Sequence, residues 1–327
     1  MNAKKKRRRL LLCMLAFFAL ILLVPYIYSR WCASANLVNI RTEMSFSNGE
    51  RTRSSFRVVA YNIAHGRGLA ESNWDGGTLQ ARTQRLDAIA KLLKELDADV
   101  VVLNEVDFDC SWSSHTNQAR YLAEKSGYPH WVEQRNLDFR VLGWTWRFGN
   151  ALLSKHPVTN AKPIDFPAYA KWESVLAGKK RGMSCDIGII GTEKVIRVFP
   201  VHLSPRSERL RVQSCEAILR EVQNTKLATV VAGDFNSTPK GWPVHSIEVS
   251  GHNAIALMDA CGKLNRQQHA SVNSEAFTFP ANLPDRVIDW VFVPAKAKTH
   301  LHRVVSSQLS DHLPVLSEFQ IQPNDVP

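Results

Sequence analysis

A chain of 327 residues, 45% hydrophobic and 9% aromatic, can bury a substantial core as one large domain or two small ones. Its 16 Gly, 15 Pro and 6 Cys follow no period, which excludes collagen-like, coiled-coil and short disulfide-scaffold architectures. The formal net charge of +11 is uneven: seven of the 41 basic residues, Lys4, Lys5, Lys6, Arg7, Arg8, Arg9 and Arg30, flank an uncharged run, and the other 34 face 30 acidic groups, a balance of +4. Bulk charge therefore gives no argument for nucleic acid.

The basic cluster of residues 1–9 precedes an apolar run over 10–29, from Leu10 to Ser29, with no charged side chain. Twenty residues at about 1.5 Å each make a helix of about 30 Å, one bilayer core. Basic residues ahead of such a run stay cytoplasmic, which predicts a single-pass signal anchor with the C-terminal domain exported. A cleaved signal peptide is the alternative, with Ala33-Ser34-Ala35 as the small-residue site and a secreted product after Ala35. The run exceeds the usual length of a signal-peptide core, which favours the anchor. In an oxidising compartment Cys110, Cys185, Cys215 and Cys261 could pair or remain buried thiols; with no CxxC spacing, zinc is not indicated.

Residues 30–55 are polar and without period, and are expected to be a linker. A catalytic domain is expected over 56–321, with 322–327 as a tail. Within it, 57–63 reads as a strand, 84–96 as a helix with Leu86, Ile89, Leu93 and Leu96 on one face, and 100–106 as a β-branched strand covered on both sides. A helix at 117–125 is stopped by Gly127 and Pro129. Strands follow at 130–134, 149–154, 184–190 and 195–203, then a helix at 207–223 and a strand at 228–232. Late strands fall at 287–293, 300–306 and 314–321, and 163–181 reads as a surface excursion. Strands dominate and helices do not follow each of them, which argues for two packed sheets flanked by helices.

Polar groups cluster where these strands end: Asn62 in YNIAHG, Glu105 in LNEVD, His202 in VHLS, Asp234 and Asn236 in GDFN, Asp289 in IDWVF, and Asp311 with His312 in SDHLPV. Singly, each has an ordinary structural reading: a Glu after a strand is usually a solvated turn residue, and Asp-Phe-Asn a common Asx turn. Together they read as one site at a sheet edge. Asp289 interrupts an apolar run, so its buried carboxylate needs a partner.

The ordered series YNIAHG, LNEVD, GNALLS, VHLS, GDFN, IDWVF and SDHLPV resembles the endonuclease/exonuclease/phosphatase superfamily, which includes deoxyribonuclease I, exonuclease III and neutral sphingomyelinases. The resemblance spans about 56–320 and implies an α+β fold, a four-layer αββα sandwich cleaving phosphoesters with Mg²⁺, or Mn²⁺. It implies that Glu105 is the principal metal ligand, with Asn62 and Asp311 beside it. Asp234 and Asn236 would activate the attacking water and contact phosphate, while His312 and Asp289 would form a His-Asp dyad. His202 matches the second histidine of the deoxyribonuclease I branch, but the expected carboxylate partner before GNALLS is missing. The chemistry agrees: a hard cation held by carboxylates suits an anionic phosphodiester, a carboxylate-paired imidazolium can hold a proton, and an Asn amide can donate to a phosphate oxygen.

Candidate substrate contacts are Arg67, between Gly66 and Gly68, together with Asn150 and Trp146; Trp144 and Arg147 lie near, able to meet bases or lipid or simply to pack in a loop. The expected partners are the membrane through residues 10–29 and a nucleic acid or phospholipid substrate; nothing points to a protein partner. A membrane-anchored nuclease is the first expectation. A phospholipid, phosphoinositide or sphingomyelin head-group phosphodiesterase or phosphatase is the second, supported by HGRG and TFPANLPDRVIDWVFV, which are similar to the domain associated with glycosylphosphatidylinositol-anchor remodelling. A non-catalytic binding module is the third.

Overall fold

The computed structural model describes residues 3–33, 36–43, 54–141, 143–170, 178–266 and 274–321. Among the described residues, thirteen strands form two mixed sheets. The seven-stranded sheet runs in the order β1 (Val38–Thr42), β4 (His130–Val141), β5 (Trp144–Ser154), β3 (Val100–Cys110), β2 (Phe56–Asn62), β13 (Val315–Gln320), β12 (Lys298–Val304). The six-stranded sheet runs β10 (Leu264–Arg266), β11 (Asp289–Pro294), β9 (Ala228–Asp234), β8 (Val195–His202), β7 (Arg181–Gly188), β6 (Val158–Asp165). Each has one parallel pair at its heart, β2 with β3 and β8 with β9.

Alternation along the central strands explains the layers. Val58, Ala60, Val100 and Val102 meet Val198, Val230, Ala232 and Val291 in the core between the sheets. The intervening Val59, Tyr61, Val101 and Leu103 pack against helices α2 (Leu79–Leu96) and α3 (Gln118–Ser126). On the other side, Phe199, Val201, Val231 and Phe292 pack against α4 (Glu208–Asn224) and α5 (Ala254–Asp259). Burying both faces of each sheet requires β-branched residues at consecutive positions. The result is the expected α+β αββα sandwich. Thr78 Oγ1 accepts the Ala81 N–H and caps α2 five residues earlier than the apolar periodicity alone marks.

The N-terminal helix α1 (Ala3–Cys32) has an apolar stretch long enough to cross a membrane, exposed along its length until Ser29 meets the domain. Ser34 and Ala35 of the candidate cleavage site, and the 322–327 tail, lie outside the described residues. The expected linker over 30–55 is corrected over 30–32 and 38–42. Helix α1 continues to Cys32, and β1 pairs antiparallel with β4, Val38 opposite Gln134 and Thr42 opposite His130. A second correction is β6, whose end falls in the expected surface excursion. It is an edge strand pairing only with β7, and Pro163 is tolerated there because an edge N–H needs no partner. Cys110, Cys185, Cys215 and Cys261 are separate buried thiols, not disulfides.

Candidate active site

Strand ends from both sheets meet at one cavity of about 660 Å³, lined by Glu105, His202, Asp234, Asn236, Asp311 and His312 among others. Two parallel pairs set this up. Asn62 and Asn104 are partners on β2 and β3, and His202 and Asp234 are partners on β8 and β9. Asn104 joins the sheets: its Oδ1 accepts the Asp234 N–H at 2.9 Å, and its Nδ2 donates to Val201 O and Asn150 Oδ1, each at 3.0 Å.

Glu105 lies at a register break in the β3–β5 ladder with a φ of 52°. The break lifts it from the ladder into the cavity. Four groups converge on its carboxylate: Asn62 Nδ2 at 3.3 Å, Arg67 Nη1 at 3.3 Å, His65 Nε2 at 3.5 Å and His202 Nε2 at 3.7 Å. Burial alone would raise its pKa. The field of His65, His202, Lys180 and Arg67 instead holds it well below the usual carboxylate range.

On the facing side, His312 Nδ1–H donates to Asp289 Oδ2 at 2.9 Å, both residues being buried. Burial disfavours the imidazolium, but Asp289, Asp234 and Asp311 outweigh it and push the His312 pKa up to about 10. Its Nε2 faces Asp234 Oδ2 at 3.9 Å. Burial, with the nearby Asp289 and Glu105 carboxylates, raises Asp234 to about 7 against the pull of His312. Asn236 has a φ of 50° in an Asx turn, its N–H donating to Asp234 Oδ1 at 2.8 Å and its Nδ2 to Asp234 Oδ2 at 3.1 Å. Near neutral pH the site therefore holds a protonated His312, an ionised Glu105 and an Asp234 poised to exchange a proton.

Three expectations need correction. Asn62 stands beside the carboxylates, but turns its NH₂ to Glu105 and Asp234 while its Oδ1 accepts the Ala64 N–H at 3.0 Å. It clamps the acids together instead of offering an oxygen. Asn150 is fully buried, and its amide is used by Asn104, Gln134 and Arg181 O, so it supports the floor and does not face the groove. Trp146 joins an aromatic cluster with Trp112, Trp144 and Phe139 outside the main cavity.

Arg67 does reach the site. Its guanidinium bridges Asp311 Oδ2 at 2.6 Å and Glu105 Oε2 at 3.3 Å. Burial and Glu105 raise the Asp311 pKa, opposed by His312 and Arg67. His202 Nε2 stands 3.7 Å from Glu105 Oε1 and 3.6 Å from Asp234 Oδ2, and Lys180 Nζ lies 3.1 and 3.3 Å from its two ring nitrogens. Burial, then the Lys180 charge, depress its pKa well below the ordinary value.

Sequence reasoning assigned no role to His65 or Lys180. His65 sits in the quoted YNIAHG motif, and its Nδ1 is 2.6 Å from Asp107 Oδ1, the last residue of LNEVD. That spacing gave a usable signal. Lys180 lies in a stretch without period, and only the fold brings it to His202.

As a cation site, the donor set is all oxygen: Glu105 and Asp311 already share one positive guanidinium, and Asp234 lies behind them. Asp289 Oδ1 is buried without a hydrogen-bond partner, and Asp234, Asp289 and His312 bring ligand atoms within 4.8 Å of one another. Because the His312–Asp289 bond occupies that second group, the Glu105 side fits a hard divalent cation better.

Solved structures with the same fold include an endonuclease/exonuclease/phosphatase from Beutenbergia cavernae, 23% identical over 82% of this chain and 72% of that one, with a TM-score of 0.61. One from Bacteroides vulgatus is 18% identical over 83% of this chain and 100% of its own, also at 0.61. A mannosyl-6-phosphatase from Bacteroides thetaiotaomicron is 16% identical over 81% and 100%, at 0.57. No curated protein sequence matches the chain. The family's sequence signature matches residues 59–312, most of the chain, and the protein belongs to the Endonuclease/Exonuclease/phosphatase family.

Proposed function

We propose that the protein is a divalent-metal-dependent phosphodiester hydrolase, with Mg²⁺ as the cation and Mn²⁺ able to replace it, held at the membrane by α1. One observation carries this reading: His312, backed by the buried Asp289, lines a single cavity with the Asp234–Asn236 pair and the Glu105–Asp311 carboxylates. Glu105 and Asp311 would hold the cation, which when bound neutralises charge on a non-bridging phosphate oxygen. Asp234, raised to about 7, is matched to removing a proton from water at neutral pH. Asn236 orients that carboxylate; its Nδ2 donates to Asp234 Oδ2 and to Leu203 O, and exchanging the Leu203 bond would give its amide to a phosphate oxygen. His312 keeps its proton near the Asp234 carboxylate and delivers positive charge where negative charge develops. His202, neutral beside Lys180, contributes a donor without adding charge.

Of the substrate classes, nucleic acid follows from the motif series, and Arg206, Arg209 and Arg286 on the cavity rim suit backbone phosphates. The seating of α1 favours membrane lipid. The test is a panel on the full chain, with and without Mg²⁺: supercoiled DNA, RNA, sphingomyelin, phosphoinositides, a phosphomonoester and bis(4-nitrophenyl) phosphate. Glu105→Gln and His312→Gln should each lower whatever activity appears by about a hundredfold or more. Wild-type rates in both folded variants would refute the site.

A further inference from the structure

The end of the apolar helix and an exposed aromatic ridge beside the catalytic cavity occupy the same edge of the domain. Ser29, near the end of α1, is fully buried, and its Oγ accepts the Arg140 N–H at 2.9 Å. Arg140 is the partner of Thr145 across the β4–β5 hairpin, so Trp144 is the next residue toward the hairpin turn. Only residues 33–37 separate α1 from β1, which is itself paired to β4. The domain is thus strapped to the helix end rather than hung on a long tether, and the hairpin stands where α1 leaves its apolar span.

Trp144 is 48% exposed and Trp74, from the loop before α2, 51%. Their rings are 5.2 Å apart. The stack continues inward, Trp74 to Trp112 at 5.9 Å and Trp112 to His65 at 5.8 Å, and His65 Nε2 is 3.5 Å from Glu105. Ring contacts therefore run from the helix exit inward to His65, which is buried against Glu105. Exposing two large indoles to water is unfavourable, whereas tryptophan is favoured at a bilayer interface, apolar body inward and N–H outward.

Resting on the phosphodiesterase reading above, we infer that this ridge docks on the bilayer beside α1 and that the substrate is a phospholipid of that membrane. The ridge would set the domain on the bilayer, and the scissile head-group phosphoester would enter the cavity at Glu105 from that membrane. From the Cys110–Trp146 pair to Glu105 is five residues of β3, about 17 Å at strand rise. A lipid lifted toward Glu105 would keep its upper acyl carbons against the exposed Trp74 and Trp144 indoles. A ridge built for stacking nucleic-acid bases has no need of this attachment to the helix.

The test uses the full chain in vesicles of phosphatidylethanolamine and phosphatidylglycerol whose acyl chains carry bromine near the head group. Bromine quenches indole on contact, so wild type should lose tryptophan emission, and the Trp74→Ser/Trp144→Ser double variant should lose less. Both residues are half-exposed, and folding is checked by circular dichroism. The ratio of vesicle-lipid to bis(4-nitrophenyl) phosphate turnover should fall at least about tenfold in the variant. Equal quenching in the two proteins overturns the docking. Cleavage of the soluble diester without cleavage of lipid overturns the substrate assignment, as does a variant that loses only single-stranded DNA cleavage. A wild type that docks but cleaves no phosphoester at all would instead refute the hydrolase reading.

Discussion

Asp289→Asn tests the site most sharply because it changes one atom and removes one charge. The rise of His312 from 6.5 to about 10 corresponds to a preference for imidazolium of roughly 5 kcal/mol. Burial works against that preference, and Asp289 is the foremost group overcoming it. With an amide at 289, burial persists while the closest anion is gone, so the His312 pKa should fall back toward the ordinary value near 6.5. The assay is kcat/KM for a soluble phosphodiester across pH. Wild type should stay active until pH approaches 10, whereas the variant should fall off on the alkaline side of about 6.5. At pH 8 this predicts a loss of about thirtyfold, deepening about tenfold for each further pH unit. His312→Gln should reach a similar floor, and the double variant should add little, since the two residues act as a unit. Stability follows the same sign. A histidine whose pKa is raised on folding stabilises the native state fully below pH 6.5, and this is lost as pH rises through about 10. The stability gap between wild type and variant should therefore be widest at acidic pH and close toward pH 10. An unchanged alkaline limb, or losses that multiply in the double variant, would refute the dyad.

The other substitutions probe the supports of the site. In Gly233→Ala, a Cβ would meet Val201 O at 2.0 Å at a φ of +137°; about 3 kcal/mol or more of stability should be lost, and an unchanged denaturant midpoint would contradict the packing. For Glu105→Gln, Mn²⁺ binding followed by electron paramagnetic resonance should weaken at least about tenfold; unaltered affinity would remove Glu105 from the cation site. Lys180→Met takes away the leading charge that, after burial, depresses His202, so the His202 pKa measured by NMR should rise, and a constant value would show that Lys180 does not act on it.

The sandwich was legible because its central strands leave little choice. Consecutive Val100, Val101 and Val102 can be satisfied only with both faces covered, and Leu86, Ile89 and Leu93 recur at helical spacing for one face of a sheet. The edges were not legible. Strand β1, VNIRT, is half polar because one side and one face meet water, and β6 carries a proline; neither has a clear alternation. The ionisable residues at the strand ends were legible as a set because unpaired carboxylates and imidazoles inside apolar runs are costly. Their roles were less so. That Asn62 would turn its NH₂ to the acids, or Asn150 spend its amide on the floor, depends on distances between segments up to 172 positions apart, which no local pattern encodes. Lys180 and His202, on β7's approach and on β8, become neighbours only through sheet pairing.

One property of the site has no sequence mark at all. Ala64, His65, Glu105 and Asn236 have positive φ values between 47° and 54°, a conformation costing a residue with a side chain roughly 1 kcal/mol or more. Elsewhere a glycine would remove that cost, yet Glu105 and Asn236 are needed for their side chains and His65 for its contact with Glu105. These four stand just after β2, at the register break within β3 and just after β9, where the two sheets meet, while Asp97, Ser114, His115 and Ser250, the other such residues among those described, lie outside the site. Packing over-determines these positions: Asn104 bridges the sheets beneath them, and Ser310 Oγ donates to Asn62 O at 2.7 Å from the opposite strand end. A rigid, doubly buried sandwich can thus hold backbone in a poor conformation so that its acids face inward. This is why the sheet edge, and not a flexible loop, is the place where such a site can be built.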